Sequence, residues 1–187
     1  DESVPETVSA MARSRLDALE PEARRVLRVG SVFGECMWEK GVVHLLGGTQ
    51  PRAAPPPSME PHHAPDPARA SQISLGSQAS TGAAGLRTAE QVREWLDTLT
   101  QREILEPGRR DRFGGEADFV FRHALLRDAA YATLVDEDRK LGHRLAAEWL
   151  EEVGERDPQV LAEHHLRAGD DARAAPHLLR AAQARMA

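Results

Sequence analysis

The chain has 187 residues, a formal net charge of −6 and a single cysteine, Cys36. One cysteine excludes an internal disulfide and a cysteine-based zinc cluster, and the acidic balance disfavours general binding to nucleic acid or anionic lipid. No run of about 18 apolar residues occurs, so no membrane-spanning helix is predicted. We expect a cytoplasmic protein of one large domain or two small ones.

The first 48 residues predict three amphipathic helices. The first opens at Pro5, where proline is tolerated because the N–H that it lacks would have no helical partner. The second begins at Pro21 and closes near Gly34, and the third covers Trp38–Leu46. The residues expected to face the core keep helical spacing; they are Val8, Met11, Ala12, Leu16 and Leu19, then Ala23, Val26, Leu27 and Val29.

Residues 49–85 differ in composition, being rich in Pro, Ala, Ser and Gly and containing no aromatic residue. Such a segment cannot bury enough apolar surface to offset the entropy that it would lose on ordering. We therefore predict a disordered insertion between two helices, which costs little closure entropy even at this length.

Helical and strand patterns return after the insertion. A helix capped by Thr88 is predicted, followed by strands at Ile104-Leu105 and Asp118–Arg122 around the turn-rich "PGRRDRFGGEA". Four more helices follow the strands, which makes five helices after the insertion. The residues expected to face the core are, in chain order, Val92, Trp95, Leu96 and Leu99 of the helix before the strands; Leu126, Ala130 and Leu134; Leu141, Leu145 and Trp149 after a cap at Asp136; Val160, Leu161 and either His164 or His165 after a start at Asp157-Pro158; and Leu178, Leu179 and Ala182 of Ala172–Met186.

The order of these elements predicts a mainly α fold in two parts. Three helices followed by a two-stranded β-hairpin is the order of a winged helix-turn-helix, which we assign to residues 21–135 with the insertion inside it. Residues 136–187 are assigned to a tetratricopeptide-like helical array. Two antiparallel helices joined at "AGDDARAA" form one such unit, and a unit of this kind needs neighbours for stability.

His123 stands where strand spacing changes to helical spacing, within "FVFRHALLRDAAY". A helix N-terminus favours an anion, because its unpaired backbone N–H groups and the macrodipole are positive there. An imidazole at this joint can donate a hydrogen bond to a phosphate, and it titrates near neutral pH. From the residues alone, a structural histidine and a ligand contact both stay open.

The same stretch resembles the strand–histidine–helix segment that ends the winged helix of STAND-type signalling ATPases, in which relatives such as plant resistance proteins carry a Met-His-Asp motif. The resemblance implies that His123, with Arg122 beside it, senses nucleotide. The family's histidine contacts the β-phosphate of ADP and locks the inactive state. Ala124 stands in place of the family's Asp, so that part of the contact network is missing here.

Two other stretches are similar to bacterial members of this class. Residues 5–37 are similar to the segment that joins the ATPase lid to the winged helix, and residues 151–182 to the start of the repeat array. The resemblance implies a non-catalytic regulatory fragment of a multidomain signalling ATPase, often fused to a serine/threonine kinase or adenylate cyclase. Residues 1–20 would then form a linker helix from the lid.

For the parent protein, the resemblance implies ADP or ATP with magnesium, bound by an upstream nucleotide-binding domain of the same chain. It also implies a protein or small-molecule signal on the repeats, and oligomerisation on activation. The sequence itself contains no GxxxxGK[ST] phosphate-binding loop and no HRD or DFG kinase motif. We therefore expect no catalytic residue and no resident cofactor in this chain.

Histidine pairs are the candidates for a metal site. His164 and His165 point about 100° apart on a helix and cannot hold one ion together, so no metal site is predicted from them. The pair His62-His63 lies in the insertion, where only weak adventitious binding is expected.

A basic hairpin tip makes a DNA-binding winged helix the alternative function. Its residues, Arg109, Arg110 and Arg112, are of the type that contacts DNA phosphates. The helix that would enter the major groove is acidic, however, and repels the backbone that it would have to approach. Nucleic acid is therefore not the expected partner.

Overall fold

Eight α-helices and three short strands form the part of the chain that the computed structural model describes, residues 6–48, 89–108 and 112–186. The predicted mainly helical class with a small β-sheet is confirmed. The predicted insertion at 49–85 and the Thr88 cap lie outside the described residues.

In chain order the elements are α1 (Glu6–Asp17), α2 (Pro21–Gly30), a 3-10 helix (Ser31–Phe33), β1 (Cys36–Trp38), α3 (Glu39–Gly48), α4 (Ala89–Gln101), β2 (Leu105–Pro107), β3 (Asp118–Phe121), α5 (Ala124–Ala132), α6 (Asp136–Glu152), α7 (Pro158–Ala168) and α8 (Asp171–Met186).

The sheet has three antiparallel strands in the order β1-β3-β2, with β3 in the centre. Cys36 lies opposite Val120 on one side of β3, and Leu105 lies opposite Phe121 on the other. Phe119 and Phe121 are both buried, as their alternation predicts. The strand β1 was missed by the sequence pattern, because three residues are too short to show a period of two. The third helix therefore begins at Glu39 and not at Trp38.

The main hydrophobic core lies between the first five helices and the sheet. Helix α2 contributes three fully buried side chains to it, since Ala23, Val26 and Leu27 are 0% exposed. Helix α1 packs against α5 and adds Ala12 and Leu16 to the same core. The segment predicted as a linker helix is thus packed onto the rest of the protein, while the domain boundaries at residues 20 and 135 stay predictions.

An aromatic cluster joins α6 and α7 to this body. Trp38 of β1 and Trp149 of α6 lie 5.6 Å apart between ring centroids, and Phe33 makes edge contacts with both. Leu150 and Leu161 are buried in the same cluster. Aromatic pairs at such distances stabilise by about 0.5–1.5 kcal/mol beyond their buried area, so α6 is held firmly against the sheet.

Buried Glu116 fixes the start of α3. Its carboxylate accepts the backbone N–H of Lys40 at 2.9 Å and pairs with the Lys40 ammonium at 2.6 Å. The backbone N–H of Glu39 donates to the Ala117 carbonyl at 3.2 Å. A carboxylate at a helix N-terminus is stabilised by the helix dipole, so this contact ties the segment before β3 to α3.

The predicted start of α7 is confirmed, and that of α6 is corrected by one residue. Asp157 caps α7, because its side chain accepts the backbone N–H of Gln159 at 2.9 Å, and Gly169 ends that helix in the left-handed conformation with φ 79°. Asp136, predicted as a cap, is instead the first residue of α6, and Val135 occupies the cap position.

Several residues predicted to face the core point outward. Met11 is 67% exposed, because it lies about 100° around the helix from the buried stripe of Ala12 and Leu16. In α8, Leu178 is 45% and Leu179 61% exposed, and Ala182 is exposed as well. Helix α8 packs against α7 through a different face, on which Ala174 is the one fully buried residue among those described in this helix.

A glycine sets the distance between α3 and α6. A Cβ atom at Gly41 would lie 2.8 Å from the Phe33 ring and 3.2 Å from the Trp149 ring. We expect Gly41→Ala to lower the free energy of unfolding by about 1–3 kcal/mol, because both rings are held in the aromatic cluster and cannot move aside cheaply. Chemical denaturation of the purified chain measures this change.

Gly47→Ala is the matched control in the same helix, since a Cβ atom there meets nothing within 4 Å. Alanine should stabilise at that position by up to about 1 kcal/mol through its higher helix propensity. Equal stabilisation by both substitutions would contradict the close packing described for α3 and α6.

Candidate functional site

His123 is the cap residue between β3 and α5, with an extended backbone at φ −135° and ψ 123°. Its carbonyl accepts the N–H of Leu126 at 3.0 Å and closes the first turn of the helix. The imidazole makes no capping hydrogen bond among the described residues, and His123 is exposed to solvent. The ring therefore lies at the surface beside the unpaired N–H groups of a helix N-terminus.

The charges near His123 favour an anion. The first turn of α5, which lies wholly in the described part of the chain, contains no acidic side chain. Arg122 is exposed and pairs with Glu103 at 3.3 Å, an ion pair between two solvated side chains that contributes little stability and exchanges readily. The dipole of α5 adds positive potential at the same end. This surface suits a phosphate or carboxylate group of a partner.

The basic loop between β2 and β3 is only partly described. Arg109 and Arg110 lie outside the described residues. Arg112 donates to Glu155 at 2.8 Å, and its guanidinium lies 5.9 Å from the centre of the Phe113 ring. Glu155 is almost fully buried in this ion pair, with 2% of its side chain exposed. Arg112 is therefore paired within the chain, although 38% of its side chain stays exposed.

Helix α4 presents an acidic face to solvent. Glu90, Glu94 and Asp97 are all exposed, and the Arg93 guanidinium pairs with Glu39 at 3.0 Å. Arg102, just beyond the helix, is bound through two nitrogen atoms by Glu20. The two arginines are thus neutralised by glutamates, whereas the three acidic side chains have no basic partner among the described residues. The helix would therefore repel the backbone of a nucleic acid.

One ring from each of the helices α5, α6 and α7 takes part in a hydrogen-bonded series. Tyr131 Oη lies 2.8 Å from His143 Nε2, and His143 Nδ1 lies 3.0 Å from His164 Nδ1. Burial lowers the pKa of His143 to about 3 and that of His164 to about 4. The geometry also favours the uncharged form of at least one ring. Two facing Nδ1 atoms can form a hydrogen bond only if one of them lacks a proton.

Sequence reasoning placed either His164 or His165 in the interior, and the structure buries both. They point apart, as adjacent helical residues must, and reach different partners. His164 contacts His143, whereas His165 contacts Glu151 through Nε2 at 2.9 Å. Neither partner could be predicted from the sequence. Each partner residue lies on another helix and is at least 14 residues away along the chain.

Comparison of the chain with protein-family models, with curated proteins and with solved structures found no match in any of the three. Among the described residues, no helix combines the length and the apolar character needed to cross a membrane.

Mild acid should destabilise the protein through the two buried histidines. Both have a lower pKa when folded than the ordinary value of 6.5, so the unfolded chain binds more protons. Their stabilisation is complete above pH 6.5 and is lost as the pH falls through about 4 for His164 and about 3 for His143. Two protons correspond to at most about 3 kcal/mol per pH unit in the free energy of unfolding, measured by urea denaturation at several pH values.

His164→Gln is the control for this dependence. Glutamine keeps a hydrogen-bond donor for His143 and removes one of the two buried titrating histidines, so the slope with pH should become smaller. A slope that is the same in both proteins, or a stability that rises on acidification, would contradict the assignment.

Proposed function

We propose that this chain is a non-catalytic regulatory module of a multidomain bacterial signalling ATPase or kinase. In this proposal a winged helix senses the nucleotide state of a neighbouring domain in the same chain and passes it to a repeat-type array. The exposed imidazole of His123 at the start of α5 is the observation that carries the proposal. The output domain and the signal are properties of the parent protein.

The element order supports the winged-helix interpretation. Helices α2, α3 and α4 precede β2 and β3, and β1 adds a third strand to the pair. The antiparallel pairing of β2 with β3 in the sheet order β1-β3-β2 supports reading these two strands as the hairpin of a wing. The consecutive packing of α6 on α7 and of α7 on α8 supports the repeat-type interpretation of the remaining helices.

The charge distribution supports a phosphate as the group that His123 meets. A phosphate at the N-terminus of α5 would accept hydrogen bonds from backbone N–H groups and from the imidazole, with Arg122 adding positive charge. ADP or ATP with magnesium would be held by the upstream domain, because the sequence has no phosphate-binding loop of its own.

Continuous packing connects His123 to the later helices. Leu126 and Ala130 of α5 are buried in the main core, and Ala146 of α6 belongs to the same core. Trp149 then joins α6 to the aromatic cluster that contains Leu161 of α7. A shift at the start of α5 would therefore be transmitted through packed side chains to the helices of the proposed array.

His123→Asn in the intact parent protein tests the proposal. Asparagine is a preferred cap residue, so it should stabilise the start of α5 by up to about 1 kcal/mol while removing the imidazole. We expect this variant to raise basal signalling or nucleotide turnover, because the closed state loses its phosphate contact. The assay measures activity without the activating signal, together with the thermal unfolding midpoint.

Arg144→Ala, at an exposed position of α6, is the control and should change neither quantity. A merely structural role for His123 predicts that the asparagine variant changes in stability but keeps its basal activity unaltered. That outcome would remove the support for nucleotide sensing. Tight, salt-sensitive binding of this chain to DNA would favour the alternative function instead.

A further inference from the structure

Three consecutive helices bring one carboxylate and two imidazoles together. Glu151 comes from α6, His165 from α7 and His177 from α8. One potential ligand atom of each residue lies within 4.8 Å of those of the other two. None of the three belongs to the surface around His123 described above, and the group plays no part in the proposed nucleotide sensing.

The two imidazoles approach the same oxygen atom of Glu151. His165 Nε2 lies 2.9 Å from Glu151 Oε1, and His177 Nε2 lies 3.6 Å from that atom. The second distance is too long for a hydrogen bond, so hydrogen bonding explains the position of His165 but not that of His177. The two rings are stacked, with centroids 5.5 Å apart and an interplanar angle of 22°.

The spacing suits a small divalent ion. Zinc binds histidine nitrogen and carboxylate oxygen at about 2.0–2.2 Å in tetrahedral geometry, which places ligand atoms about 3.3 Å from one another. The two distances at Glu151 Oε1 lie on either side of that value. Shifts of a few tenths of an ångström would bring each imidazole nitrogen to this spacing from Oε1, and the two nitrogens themselves lie within 4.8 Å of each other.

The orientation of the carboxylate also fits. Arg173 donates to Glu151 Oε2 at 2.9 Å, which orients the carboxylate and leaves Oε1 facing the imidazoles. Arg173, and Arg180 near His177, are also the cations that oppose a bound metal ion.

We propose that Glu151, His165 and His177 form a binding site for a divalent transition-metal ion such as Zn²⁺, with a fourth position open to water or to an external ligand. Two histidines, one glutamate and an open position are a donor set that zinc uses in proteins. The ion would fasten α6, α7 and α8 to one another. Adjacent His164 takes no part, which agrees with the argument that His164 and His165 cannot share an ion.

The remaining ring nitrogens limit the expected affinity. Nδ1 of His165 and Nδ1 of His177 are buried and have no hydrogen-bond partner among the described residues. Ligating histidines usually donate this N–H to a carboxylate or carbonyl, and loss of such a partner weakens metal binding by about 10- to 100-fold. We therefore expect a reversible site that chelators empty without unfolding the protein.

Titration of the full chain with Co²⁺ and then Zn²⁺ tests the site. Co²⁺ should give the visible absorption bands of tetrahedral coordination at one ion per chain, and Zn²⁺ should abolish them. His177→Ala should weaken binding by about 100-fold or more, because it removes a ligand and not merely an outer-shell partner. Glu151→Gln should weaken it as well, and it serves as a second variant should His177→Ala alter the fold.

The double variant His62→Ala, His63→Ala is the matched control, since it removes the other histidine pair and leaves the three ligands intact. It should retain the Co²⁺ spectrum and the stoichiometry of the unaltered chain. Loss of the spectrum in this control, with retention in both ligand variants, would show an adventitious ion only and would overturn the proposal. Absence of tetrahedral Co²⁺ bands in the unaltered chain would overturn it too.

Discussion

Two backbone hydrogen bonds hold the end of β3 from opposite sides. The N–H of Phe121 donates to the Glu35 carbonyl at 3.1 Å, and that of Arg122 donates to the Ile104 carbonyl at 3.0 Å. Because both neighbouring segments fix these two residues, the chain leaves the sheet at a defined point. His123 then turns into α5 with its imidazole outside the core. The proposed sensing role depends on this constraint.

The aromatic cluster of Phe33, Trp38 and Trp149 connects the sheet, from which His123 emerges, to the later helices by direct packing. It joins β1, which is paired with β3, to α6 and through Leu161 to α7. The protein therefore has no loose hinge between the sheet and these helices among the residues that the structure describes. A force applied at the start of α5 acts on a packed interior, which responds by repositioning whole elements.

Strongly periodic segments could be predicted from the sequence, and short or partner-dependent ones could not. The buried face of α2 and the Asp157 cap of α7 follow from local spacing and local chemistry. The strand β1 exists because β3 pairs with it, and its three residues show no pattern of their own. Leu178 and Leu179 have the spacing of a core face, yet burial depends on which surface a neighbouring helix covers.

The same distinction holds for the two candidate sites: one could be predicted from a single stretch of sequence and the other could not. The position of His123 followed from the change of period at Arg122, which is visible in one stretch of sequence. The Glu151, His165 and His177 group could not be predicted, because its members come from three helices and their convergence is set by helix packing. His164 and His165 are adjacent in the sequence, but they point in different directions on the helix and contact separate partners.

A crystal structure of the intact parent protein with ADP bound tests the central claim most directly. The distance to measure joins either ring nitrogen of His123 to the nearest phosphate oxygen. The account predicts a hydrogen bond of about 2.7–3.2 Å in the inactive state. An ADP molecule whose phosphates contact other residues, with the imidazole facing solvent, would contradict it.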